Sequence, residues 1–218
     1  MKYAYEFIGT FFLVFTIGMV IIEPGALPPG FAPIPIGTVL AVMIFAGGHV
    51  SGGHYNPAVS LAVFVRGKAT LNDTLLYWVV QLAAGFVAAL VVGYFKSATA
   101  AASGAAVVVP SVNASAVLVP ALLAEFIFTF ALTYTVLNVA TAKGTEGNSF
   151  YGWAIGMAVL SGAYAVGAIS GGVFNPAVAL GITQMGVTGW GNIWIYWVPQ
   201  LVAAAASAYT FKAAHPGE

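Results

Sequence analysis

Apolar residues run along this chain in blocks, separated by short breaks rich in Pro, Gly, Asn and charge, and the blocks come in two lengths. Crossing a bilayer as a helix takes about 20 predominantly apolar residues. Blocks of that kind cover about Tyr3–Ile22, Ile36–Val50, Leu75–Phe95, Leu118–Thr141, Phe150–Gly167 and Ile193–Phe211. The second is short and flows straight into a Ser-Gly-Gly turn. Two further apolar stretches, Ala58–Val65 and Ser170 to about Gln184, are too short to cross. The pattern predicts six spanning helices and two half-length ones. Loops are expected over Glu23–Pro35, from Lys96 to about Val117, and over Lys143–Gly147, with a loose tail at His215–Glu218. Asn72-Asp-Thr74 reads as the cap of the third span.

Composition decides which solvent this pattern faces. The chain is 61% hydrophobic and 6% charged, with mean hydropathy +0.96. Soluble domains carry about 25% charged residues. So few charges cannot cover a water-facing surface, and the chain reads as an all-α integral membrane protein in one channel-sized domain, 1–218. The formal net charge is zero and no basic cluster exists, which argues against nucleic acid as a partner. Without cysteine there is no disulfide or thiolate chemistry. No cleavable signal peptide is apparent, because the first apolar run carries Glu6 and is too long. No cofactor is implied.

The chain also repeats itself. Glu6 and Glu125, Asn56 and Asn175, and Gln81 and Gln200 are each separated by 119 positions. One ungapped offset aligns residues 1–96 with 118–212, as a duplication would. Each unit holds three spans, so the second must enter the membrane the other way up, giving an inverted repeat. Lys2, Arg66, Lys68, Lys143 and Lys212 fall on one side of this arrangement and Lys96 on the other. The bias puts both termini in the cytoplasm of a multi-pass cell-membrane protein.

Two stretches carry candidate chemistry: Gly48-His-Val-Ser-Gly-Gly-His-Tyr-Asn-Pro-Ala-Val59 and Gly167-Ala-Ile-Ser-Gly-Gly-Val-Phe-Asn-Pro-Ala-Val178. Asn is a favoured N-cap, and Pro fits the first helical position, where no N–H partner is needed. Each copy therefore predicts a half-helix beginning at Asn56-Pro57-Ala58 or Asn175-Pro176-Ala177, with its positive dipole end at the Asn. The inverted repeat brings these two ends together near the midplane. Non-helical backbone at that depth must be buried or line a wet cavity. Carbonyls of Gly52, Gly53, His54, Gly171 and Gly172 are candidate acceptors for a file of water or another small neutral solute. The two Asn amides are candidate donors. Paired positive ends make the meeting point hostile to cations and to protons.

With two Asn-Pro-Ala boxes on inverted repeats, each after a Ser-Gly-Gly turn, the chain resembles the aquaporin or major intrinsic protein family over Glu6 to Phe211. The resemblance implies a homotetramer with one pore per subunit, passing water or small uncharged solutes through the lipid bilayer. It implies that Glu6 and Glu125 are buried carboxylates supporting the re-entrant loops, and that His54 lines the pore. Gln81 and Gln200 are left between facing the loops and packing between helices. The family's selectivity filter falls on Ile36, Ala163, Gly172 or Val173, and Val178. Most water-selective members carry Arg where Val178 stands, so the filter is expected to be wide, apolar and uncharged, admitting ammonia, urea and small polyols such as glycerol. The rival readings are a strict water channel with a rebuilt constriction and a coupled secondary transporter using Glu6 and Glu125. Catalysis is not expected, since no nucleophile elbow or metal-ligand spacing occurs.

Overall fold

The computed structural model describes residues 1–28 and 30–218. Residue 29 belongs to the expected Glu23–Pro35 loop and lies outside the described residues. Among those described there are eight α-helices: α1 Lys2–Ile21, α2 Pro33–Ser51, α3 Pro57–Arg66, α4 Leu71–Ser103, α5 Leu118–Ala140, α6 Tyr151–Ser170, α7 Pro176–Gln184 and α8 Ile193–Ala214. Two are half-length, as the pattern requires. Five helical segments are long and apolar enough to cross a membrane, α1, α2, α4, α5 with its preceding 3-10 turn, and α6. Six crossings are expected; the remaining helix, α8, matches them in length at 22 residues. Gln200, Ser207, Thr210 and Lys212 make it less apolar than the others.

Several boundaries differ from expectation, each for a local reason. Helix α2 starts at Pro33 rather than Ile36, since Pro in a first turn leaves no N–H orphaned. Helix α4 is capped by Thr70, whose hydroxyl accepts from the N–H of Asp73 (3.1 Å), rather than by Asn72-Asp-Thr74. It runs on into the first part of the predicted loop, to Ser103, where Ala98, Ala100, Ala101 and Ala102 favour helix. Lys96 is therefore helical and buried, donating to the carbonyls of Met19 (2.7 Å) and Pro24 (2.9 Å). Helix α6 runs on past the expected Gly167 to Ser170, and the second half-helix starts at Pro176 with Asn175 as its cap, as its Asn-Pro-Ala box predicts. The tail is not loose: Glu218 accepts from Arg66 (3.0 Å) and from the N–H of Lys143 (3.1 Å).

The helix pairings are unchanged when the two halves are exchanged. Helix α1 packs on α4 and α5 on α8; α1 on α2 and α5 on α6; α3 on α8 and α7 on α4; α3 on α5 and α7 on α1. Helices α2 and α6 pack on each other, as do α3 and α7. Small residues allow these approaches. A Cβ on Gly37 would stand 2.8 Å from the carbonyl oxygen of Gly156, so α2 and α6 touch backbone to backbone. Each long helix buries one stripe, in α1 Glu6, Gly9, Thr10, Leu13, Val14, Ile17 and Gly18, while Ile8 and Phe12 on its other side are exposed.

Candidate functional site

The two half-helices meet at their N-termini through their capping asparagines. The side-chain oxygen of Asn56 accepts from the N–H of Ala58 (2.8 Å), and that of Asn175 from the N–H of Ala177 (2.9 Å). Each side-chain amide crosses to the other loop: Asn56 donates to the carbonyl of Phe174 (2.9 Å) and Asn175 to that of Tyr55 (2.9 Å). An amide nitrogen carries two hydrogens, so each Asn retains one donor beyond this bond. Tyr55 and Phe174 hold φ values of 49° and 50°, in the left-handed region that costs a side-chain-bearing residue about 1–3 kcal/mol.

That strain is held in place by two buried carboxylates. Glu6 accepts four hydrogen bonds, from Ser51 Oγ (2.7 Å), the N–H groups of His54 (3.0 Å) and Tyr55 (2.7 Å), and Gln81 Nε2 (2.8 Å). Glu125 accepts the same four, 119 positions on: Ser170 Oγ (2.6 Å), the N–H groups of Val173 (3.0 Å) and Phe174 (2.8 Å), and Gln200 Nε2 (2.8 Å). Both carboxylates are fully buried. An ionised carboxylate has about four acceptor sites, so each is saturated. Gln81 on α4 and Gln200 on α8 therefore bridge helices, reaching Glu6 on α1 and Glu125 on α5, and meet the loops through those carboxylates.

A cavity of about 380 Å³ runs past this junction. Ile36, Ala163, Gly172, Val173 and Val178 all line it, as do Gly53, His54, Gly171, Asn56 and Asn175. Gly52 lines instead a second cavity of about 520 Å³, with His49, Lys68, Lys143 and Tyr151. Ile155 borders both, so the two lie end to end along α6. Among the described residues no Asp, Glu, Lys or Arg side chain lines the first. Pro57, Ala58, Pro176 and Ala177 are buried behind the walls and line neither. Glu6 and Glu125 line neither as well. Among the described residues no cluster of three His, Cys, Asp or Glu side chains forms that would hold a metal ion.

The major intrinsic protein family model matches residues 1–211. The chain belongs to the major intrinsic protein family. It is similar to Aquaporin TIP1-2 of Zea mays, at 36% identity over 94% of this chain and 82% of that protein. It is similar also to Aquaporin TIP2-3 of Arabidopsis thaliana, at 34% identity over 96% and 85%, and to Aquaporin NIP1-4 of Oryza sativa subsp. japonica, at 31% over 95% and 74%. The X-ray structure of the aquaglyceroporin from Plasmodium falciparum shares the fold, with TM-score 0.75, 24% identity, and 96% and 92% of the two chains covered. This aquaporin-family chain is an integral membrane channel and not an enzyme.

Several residues of this aquaporin-family site hold roles that the sequence alone did not assign to them. Trp78 Nε1 donates to the carbonyl of Pro57 (2.9 Å) and Trp197 Nε1 to that of Pro176 (3.1 Å), so one indole steadies the start of each half-helix. Tyr77 donates from its hydroxyl to the carbonyl of Ser51 (2.7 Å). The signal was present in the repeated Tyr-Trp-x-x-Gln segments, whose Trp members stand 119 positions apart. Tyr55 and Phe174 were equally visible as the aromatic residue before each Asn. Ser60 has no counterpart in the second repeat, where Ala179 stands.

Proposed function

We propose that this channel passes water and small neutral solutes, ammonia and urea among them and glycerol at the upper end of size, through a wide uncharged filter of Ile36, Ala163, Gly172, Val173 and Val178. The supporting observation is that all five share one cavity wall without a charged side chain. Val178 supplies neither a hydrogen-bond donor nor bulk. Water crossing an apolar ring gives up hydrogen bonds that the wall does not replace, so water flux is expected to be only moderate. Ions meet a different obstacle, the facing N-termini of α3 and α7 with the spare amide donors of Asn56 and Asn175. A cation there would be desolvated beside two positive dipole ends. The carbonyls of Gly52, Gly53, His54, Gly171 and Gly172 are the acceptors we assign to the solute file.

Coupled transport is disfavoured by the same geometry, since Glu6 and Glu125 are already saturated and line neither of the two cavities. We place the protein in the cell membrane with both termini cytoplasmic and as a homotetramer. Lys68 and Lys143 border one cavity mouth, and Arg66 and Lys143 join the same tail residue, Glu218, while Lys96 sits at the far end of α1. That distribution supports the orientation. The duplicated pore, units 1–96 and 118–212, is one domain in this reading.

Stopped-flow light scattering on proteoliposomes tests the filter. Wild type is expected to pass urea alongside water. Val178→Arg is expected to lose glycerol and urea first while retaining water. Unchanged urea flux in that variant refutes the assignment.

A further inference from the structure

The two re-entrant loops differ in chemistry at two positions that face each other. His54 and Ser60 stand in the first repeat where Val173 and Ala179 stand in the second. Nδ1 of His54 lies 3.0 Å from Ser60 Oγ. Two other groups share that hydroxyl: Gln81 Nε2 at 3.1 Å and the carbonyl of Asn56 at 3.2 Å.

The proton inventory of this cluster has one assignment that makes every bond. A Gln amide nitrogen only donates, and one hydrogen of Gln81 goes to Glu6, so the other goes to Ser60 Oγ. A carbonyl only accepts, so the Asn56 contact needs the Ser60 hydrogen. Ser60 then has one lone pair left, and His54 must donate to it from Nδ1–H. The other tautomer would draw the Ser60 hydrogen to Nδ1 and leave the Asn56 contact unmade.

We infer that Ser60 and Gln81 hold His54 in its Nδ1–H tautomer, making Nε2 a fixed acceptor for N–H and O–H groups of the permeating solute on the inner half of the pore. The ring is not free to turn, because Tyr77 packs edge-on against it at 5.1 Å between centroids. Among the described residues nothing donates to Nε2. Nε2 lies beside Gly52, where a Cβ would stand 3.2 Å from it, and His54 also lines a small side pocket with Ser51, Lys68, Asp73 and Tyr77. His54 itself borders the main cavity. The outer loop, with Val173 and Ala179, presents no side-chain acceptor, so the assignment makes the two halves of the pore unlike. Ser60 acts here as a positioning residue; His54 touches the solute.

The inference deepens the channel reading and rests on it, but its first readout does not depend on flux. Solid-state NMR of nitrogen-15, carbon-13 histidine-labelled channel in proteoliposomes at neutral pH identifies the unprotonated ring nitrogen by its carbon neighbours. The His54 signal is assigned by its loss in His54→Gln. An unprotonated Nε2 is expected, and Ser60→Ala is expected to release a mixture of tautomers. An unprotonated Nδ1, a doubly protonated ring, or an unchanged tautomer in Ser60→Ala each overturns the inference. For flux, His54→Leu is expected to pass urea about fivefold more slowly than His54→Gln, which keeps an acceptor, the weight of one net hydrogen bond. Equal flux in the two overturns the solute-binding role. If wild type passes no solute while the tautomer holds, the channel's proposed solute range has failed and the ring geometry has not.

Discussion

Glu125→Gln isolates what a buried carboxylate contributes to a re-entrant loop. Glu125 accepts from Ser170 Oγ and the Val173 N–H on one oxygen, and from the Phe174 N–H and Gln200 Nε2 on the other. An amide accepts at one end only. Turned one way, its NH₂ faces the N–H of Phe174; turned the other, it faces the N–H of Val173. Ser170 and Gln200 can rotate to accept, but backbone cannot. One buried N–H is therefore orphaned, at about 1–3 kcal/mol. The surviving bonds weaken from charge-assisted to neutral, while removal of a desolvated charge offsets part of that loss. The net expectation is about 2–4 kcal/mol. Phe174, at φ 50°, then has less to hold its conformation, and Asn175 and Val178 follow it. Unfolding of detergent-solubilised protein in mixed SDS micelles measures the first effect, and stopped-flow water permeability the second. A midpoint equal to wild type with full water flux would refute the clamp. Glu6→Gln is expected to cost at least as much, since Gln81 links Glu6 to Ser60 and His54.

Other substitutions test separate parts of the same frame. Trp197→Phe keeps the ring but removes the N–H on the Pro176 carbonyl, and is expected to cost about 1 kcal/mol in the same unfolding assay. Gly85→Ala places a Cβ 2.6 Å from the carbonyl oxygen of Ala177, at rigid backbone. It is expected to cost about 1–3 kcal/mol and to slow water flux by displacing α7. Arg66→Ala removes a buried guanidinium that pairs with Glu218 at 3.0 Å and sits 4.7 Å from the Phe211 ring centroid. A fully buried pair loses about 3–5 kcal/mol on breaking, and partial exposure of Glu218 brings the expectation down to about 2 kcal/mol. Limited proteolysis of the loop around Lys143, which Glu218 also ties down, gives a local readout of the same change.

Most of the frame was legible because its signals are long-range and redundant. Six apolar blocks, two half-blocks and one ungapped offset constrain each other, so an error in any one boundary does not move the topology. The boundaries themselves depended on local contacts that the pattern does not contain. Nothing apolar or polar about Lys96 announces that its ammonium reaches the carbonyls of Met19 and Pro24, and with it α4 continues to Ser103. The tail at Glu218 reads as loose until Arg66 is known to be buried beside it. At the site, Asn56, Asn175 and the two glutamates were readable from type and spacing. The identity of their partners was not, because a hydrogen bond from Asn56 to Phe174 spans 118 positions and is fixed only by the fold.

The repeat itself separates what holds the pore together from what gives it direction. The bonds that obey the offset of 119 are those from loop to glutamate, glutamine to glutamate, asparagine to opposite carbonyl, and indole to proline carbonyl. All of them steady backbone. Among the bonds that break the offset, those at the re-entrant loops lie beside the cavity or close behind its wall. His54 and Ser60 are answered by Val173 and Ala179, and Tyr77 bonds the Ser51 carbonyl while the Tyr196 hydroxyl finds no partner among the described residues. A wall that was the same in both halves would offer a solute the same acceptors on the way in and on the way out. Here the first loop carries an imidazole where the second carries methyl groups. The substitutions that distinguish this channel's solute preference from its stability therefore belong at the positions where the two repeats disagree.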